Sequence, residues 1–238
     1  MRVPAKPWIT AFACGILLPA FLVVPLRAAG EVIDRIVATV NGQIILQSDL
    51  DEGMCYEALV NNRKLGDFND EERRAVLDRL IDQELLREQM KSAEIAQTSD
   101  AEVAARAAEI RKLYPEAATD EGWKSVLSTY HLSEKDFLAR LRRQIELMRL
   151  VDAQLRPKVE IDSKSVEAYY REQFVPKLKE SGASEVPLDQ VSGKIRELLT
   201  EQKVGELLVS WLRTLRSEGS VNIPDAGLSI GEQGAQAQ

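Results

Sequence analysis

The chain has 238 residues, with 31 basic, 38 acidic and a single histidine, for a net charge of −7. That balance argues against a nucleic-acid-binding role, whose electrostatic footprint is basic. With only Cys14 and Cys55 present, and Cys14 in the leader described next, no intramolecular disulfide is expected and a buried core has to hold the fold.

Arg2 and Lys6 precede an uncharged apolar stretch from Ile9 to Val24, and Ala28 and Gly30 stand like the minus-three and minus-one residues of a cleavage site. Residues 1–30 therefore read as a cleaved secretory signal peptide. Pro19, Pro25 and the short apolar run speak against a membrane anchor, and Cys14 lies in a poor lipoprotein context. Cleavage would remove Arg2, Lys6 and Arg27 and lower the 31 basic residues to 28 against 38 acidic ones, a charge near −10. The expected compartment is the periplasm, with membrane contact only during export. Cys55, alone after cleavage, reads as a packed and inert thiol.

From residue 34 the chain opens with two β-type runs around Asn41-Gly42, a dipeptide suited to a two-residue hairpin turn. Ser48, with Asp51 three residues on, reads as the N-cap of a first helix carrying Leu50, Met54 and Ala58. Asn69 to Glu72 is a capping box that opens a longer helix with Val76, Leu77, Leu80, Ile81, Leu85 and Met90 at helical spacing. Ser99 to Glu102 is a second, followed by Val103, Ala107, Ile110 and Leu113 before Pro115. Asp120 starts a short helix with Trp123, Val126, Leu127 and Tyr130. Ser133 opens a long one that includes Phe137, Leu141, Ile145, Met148 and Leu155.

Val159–Ile161 reads as an extended link, and a helix is expected over Ser165–Gln173, stopping before Phe174-Val175-Pro176. Residues 177–187 are polar, with Gly182 and Pro187, and read as a connector. A last long helix runs from Leu188 to Gly219, its natural C′ residue. Val221–Ile223 is the candidate third strand for the hairpin, which needs one because an isolated hairpin is marginal in water. Residues 224–238, rich in Gly, Ala and Gln, read as a disordered tail.

The ordered combination of Asp34–Asp51, Val76–Leu86, Leu132–Phe137, Arg140–Ile145, Val159–Tyr170 and Leu188–Ile223 resembles the N-terminal domain and C-terminal helix of the periplasmic chaperone and prolyl isomerase family of SurA. The resemblance implies a mostly α, trigger-factor-like chaperone module over residues 31–223, with a small sheet of the hairpin and a C-terminal strand. Members of that family usually carry parvulin isomerase domains before the C-terminal helix. Here only the connector stands in that place, and the single His131 lacks the paired histidines of a parvulin site. The chaperone part is implied and the isomerase is not.

No catalytic residue, metal site or cofactor is expected. His131 reads as a helix-end residue, the acidic runs at 70–72 and 99–102 read as caps, and Arg140, Arg142 and Arg143 read as a solvated helix face. Met54, Tyr56, Tyr130, Met148 and Tyr170 are the candidates for a peptide-binding groove, because flexible Met and amphipathic aromatics accommodate varied apolar peptides. Periodicity alone leaves each of them equally compatible with the core. The leading reading is a non-enzymatic holdase for unfolded exported polypeptides, outer-membrane protein precursors by resemblance. The alternatives are an interaction or homodimerising subunit that docks on another periplasmic folding factor and, behind it, a residual peptidyl-prolyl isomerase.

Overall fold

The computed structural model describes residues 34–224, apart from 92, 94, 95 and 183. The expected signal peptide and tail lie outside the described residues. The fold is mostly helical with one three-stranded antiparallel sheet in the order β2-β1-β3, built from β1 (Ile36–Val40), β2 (Gln43–Leu46) and β3 (Val221–Asn222). Asn41 and Gly42 both take positive φ, 50° and 84°, as a tight hairpin turn requires. A bulge between Ile36 and Ala38 turns both Val37 and Ala38 inward, so β1 departs from simple alternation.

β3 closes the sheet as its sequence suggests, pairing Thr39 with Asn222 and Val40 with Val221. The turn residue Asn41 adds two bonds to the same segment. Its N–H donates to the Ser220 carbonyl (2.8 Å), and its side-chain oxygen accepts from the Ser220 N–H (2.7 Å). Gly219 is needed here for space and not for a left-handed turn. Its φ is −86°, and a Cβ would lie 2.9 Å from the Leu215 carbonyl oxygen and 3.0 Å from the Asn41 side chain.

The first helix, α1 (Gln47–Val60), starts one residue before Ser48. The Gln47 N–H still bonds the Arg35 carbonyl at 2.7 Å, so sheet pairing runs up to the helix and Leu46 becomes the cap residue. Its N–H is taken by Asp49 (2.8 Å), while Ser48 bonds Asp34 instead. α2 (Asp70–Met90) and α3 (Asp100–Arg111) begin at the Asn69–Glu72 and Ser99–Glu102 capping boxes. Leu113 falls beyond the end of α3 and is exposed. α4 (Asp120–Thr129) and α5 (Glu134–Leu155) follow, and His131 between them takes φ 54°, a left-handed helix-end position.

The chain does not stop at Phe174. α6 (Ser163–Tyr169) passes through a π-type turn over 170–174 into α7 (Val175–Glu180). The Val175 N–H reaches back five residues to the Tyr170 carbonyl, and this wider register carries the helix across Pro176, which has no N–H to give. The connector is thereby reduced to 181–187, and α8 (Leu188–Glu218) follows it directly.

Two main cores result. Phe137, wholly buried, packs between Tyr56 and Trp123, with ring centroids 6.1 and 5.4 Å away, in a core of α1, α3, α4 and α5. The sheet, α1, α2 and the ends of α5 and α8 form the other, around Val37, Leu50, Ile81, Leu85, Leu150 and Leu215. Arg216 of α8 is tied to α2 through Asp82 (2.7 Å) and Asp78 (2.9 Å). A smaller outer cluster joins Val166 of α6 to Val191 and Ile195 of α8. α8 thus spans from the outer cluster to the sheet.

Candidate functional site

α1, α2 and α5 diverge around a groove of about 900 Å³ that β2 closes at one end and α3 borders. Its apolar lining includes Val60, Val76, Leu80, Ile110 and Leu147, and Gly53 brings α1 close to α2, where a Cβ would lie 3.2 Å from the Val76 side chain. Tyr56 lies beneath it and donates its hydroxyl to Gln144 Oε1 at 2.6 Å. Burial pushes the Tyr56 pKa up to about 12 against the opposing pull of Arg140, Arg106 and Arg143, so the phenol stays a donor at neutral pH. The Arg140 guanidinium sits 5.6 Å from the centre of the Tyr56 ring and pairs with Glu52 at 3.2 Å. Arg79–Glu57 and Arg87–Glu84 pairs occupy the rim.

A second, more open groove of about 840 Å³ adjoins the first, along the next face of α5. Leu141, Ile145, Met148, Ala153 and Pro157 give it an apolar surface, and Met148 is 66% exposed. Arg106 of α3 and Gln144 of α5 line both grooves. Arg149, on its border, is held by the Ala96 and Gln97 carbonyls (2.9 and 3.0 Å) and by Glu102.

The five candidate residues do not converge on one surface. Tyr56 underlies the first groove and Met148 stands in the second. Met54 is packed in the core beneath the sheet. Tyr130 is buried in the other core, where its hydroxyl donates to the Arg63 carbonyl at 3.0 Å and accepts from Tyr114 at 3.2 Å. Tyr56 is as buried as these two, at 7% exposure against 9% and 8%, so all three have almost no surface to offer a peptide. Tyr170 belongs to the outer cluster, stacked on Phe174 with its hydroxyl on the Val186 carbonyl at 2.7 Å.

The arginines of α5 differ from the expected solvated face. The Arg140 side chain is only 15% exposed, and Arg142 bonds the Thr98 carbonyl (2.9 Å) and Asp100 (2.5 Å), fastening α5 to the start of α3. Only Arg143 remains open to solvent. Gln144 and Arg106 were not among the sequence candidates. The signal for them is faint: one polar residue at helical spacing on α5, and one arginine in an alanine-rich α3.

Cys55 is half-buried, and burial, then Asp51 and Glu52, push its thiol pKa up, which makes it a poor nucleophile. Among the described residues, no group of three His, Cys, Asp or Glu side chains is placed to hold a metal ion. Nor is any helix among them long and apolar enough to cross a membrane.

The described residues thus form a helical scaffold with two open grooves and a clasp sheet made from both ends of the described chain. The family model for the SurA-like N-terminal domain matches residues 1–151, and the chain belongs to that family. It is a SurA-like chaperone chain in which α7 and α8 are joined without a parvulin domain between them. Twelve chains of solved structures match. Among them is one from work on the virulence factor PEB4 and the periplasmic protein Cj1289, described as two structurally related SurA-like chaperones of Campylobacter jejuni. It aligns at 12% identity and a TM-score of 0.47, over 80% of this chain and 99% of that one. No curated protein matches.

Proposed function

We propose that this chain is a non-enzymatic periplasmic holdase for unfolded exported polypeptides, with outer-membrane β-barrel precursors as the main clients. The observation that carries the reading is the pair of adjoining grooves, both open to solvent and floored by aliphatic side chains. An exposed, flexible Met148 suits clients of varied sequence. Each contact would be weak, and engagement at both grooves would multiply retention without ATP. The leader-like residues 1–30 and the family support the periplasmic location.

Light scattering tests it directly. An unfolded barrel protein diluted from urea should aggregate less in the presence of stoichiometric amounts of the mature chain. Unchanged scattering would sink the reading. A second reading, a homodimerising or docking subunit, draws support from α8, where Leu198 and Val209 are 38% and 58% exposed. A purely monomeric species at high concentration would count against the homodimer.

A further inference from the structure

We propose that the two grooves are one continuous path for an extended client, and that Arg106, which lines both, and Arg143, which lines the first, favour apolar segments carrying an internal Asp or Glu side chain. This rests on the holdase reading above and names the client chemistry for the same site.

Charge gives the first argument. The two grooves together are lined by seven arginines against five acidic residues, and two further acids, Glu52 and Glu102, pair with lining arginines from outside the lining. Most of these charges are already used. Arg79, Arg87, Arg140, Arg149 and Arg156 pair with Glu57, Glu84, Glu52, Glu102 and Asp152. Asp49 is taken by the start of α1. Among the described residues, Arg106 and Arg143 make no hydrogen bond or ion pair, and of the lining acids only Glu146 is in the same position.

Hydrogen-bond polarity gives the second. Where the grooves adjoin, Gln144 Oε1 is occupied by the Tyr56 hydroxyl, which leaves the Gln144 amide N–H groups free in the first groove, which Arg106 and Arg143 also line. Arginine offers donors only, so the two free guanidinium groups and the Gln144 amide, set against the one free acid Glu146, leave an excess of donors for an anionic group, and a carboxylate fits the guanidinium fork.

Position gives the third. Arg106 and Gln144 line both grooves, so apolar surface continues on either side of them. A carboxylate held there lies mid-segment, flanked by apolar side chains that enter Leu80 and Leu147 on one side and Ile145 and Met148 on the other. A C-terminal carboxylate would leave one groove empty.

Fluorescence anisotropy with the mature chain and labelled, amidated apolar peptides of about fifteen residues, an extended length sufficient for both grooves, tests this. Peptides with a central Glu or a central Gln are compared, together with a Gln peptide ending in a free carboxylate. The Glu peptide should bind about fivefold more tightly than the Gln peptide at low salt, in keeping with an exposed charge pair, and lose that margin in about 0.5 M salt. The double variant Arg106→Gln, Arg143→Gln should abolish the preference, so that the Glu and Gln peptides bind it equally. Both side chains are exposed, and circular dichroism checks that the variant is folded. Equal binding of the Glu and Gln peptides overturns this inference alone. So does a free-carboxylate Gln peptide that matches the Glu peptide, because the terminus would then be what is read. If none of the peptides binds, the holdase reading falls with it. Benzophenone placed at both peptide ends should crosslink near Leu80 from one end and near Met148 from the other; both ends trapped in one groove would overturn the continuous path.

Discussion

Met54 and Met148 have the same side chain and opposite surroundings. Met54 faces the core beneath the sheet at 9% exposure, whereas Met148 stands in the second groove at 66%. Truncating the first removes packed atoms and leaves a cavity, so Met54→Ala should cost about 2–5 kcal/mol in chemical denaturation. Met148→Lys touches no core contact and should shift stability by no more than about 0.5 kcal/mol. It should nevertheless weaken suppression of client aggregation, because it places a solvated ammonium where an apolar client side chain would rest. A Met148→Lys chain that protects clients as well as the parent would remove the second groove from the binding surface.

At the scale of elements, Glu102 is one of several contacts that fasten the start of α3 to α5. Glu102 accepts from the Ser99 N–H (2.9 Å) and the Ser99 hydroxyl (2.8 Å), and pairs with Arg149 of α5. These contacts, the Ser99 N–H foremost, lower its pKa from 4.5 to about 2. A carboxylate depressed in the folded state contributes stability that is fully present above its unfolded pKa and is lost as pH falls through the folded one. The contribution of Glu102 should therefore hold above about pH 4.5 and fade toward pH 2. Glu102→Gln should be less stable than the parent at neutral pH, and the gap measured by urea denaturation should close as the pH is lowered through that window. A gap that is constant with pH would show that the carboxylate charge does not matter there. The capping boxes behind this contact are legible from Ser99 and Glu102 alone, since both partners lie within one turn. Arg149, far along the chain, is not.

At the scale of the whole molecule, the sheet is a clasp. β3 and Ser220 close on β1 and the hairpin turn, and Arg216 binds α2 one turn earlier in space. Removing residues 219–238 should destabilise the domain, because β1 loses a paired strand and Asn41 loses both Ser220 bonds. Removing only 225–238 should leave the melting temperature unchanged. Equal stability of the two truncations would break the clasp account.

What the sequence determined by itself are the features set by neighbours: the Asn41-Gly42 turn, the caps at Asn69, Ser99 and Ser133, the apolar stripes and the returning strand. In each of these the physical cause lies within a few residues, or in a short pattern that has one obvious partner. The Leu46 cap and the helix across Pro176 escaped because a sheet bond from Arg35 and a π-type register, not local propensity, decide them. Only the tertiary structure separates groove from core. Helical spacing gives Met54 and Met148 the same signature, and exposure depends on which helix lies opposite. The grouping of Arg106 and Gln144, which line both grooves, with Arg143, which lines the first, is likewise made by α3 meeting α5, and the other lining arginines are paired elsewhere.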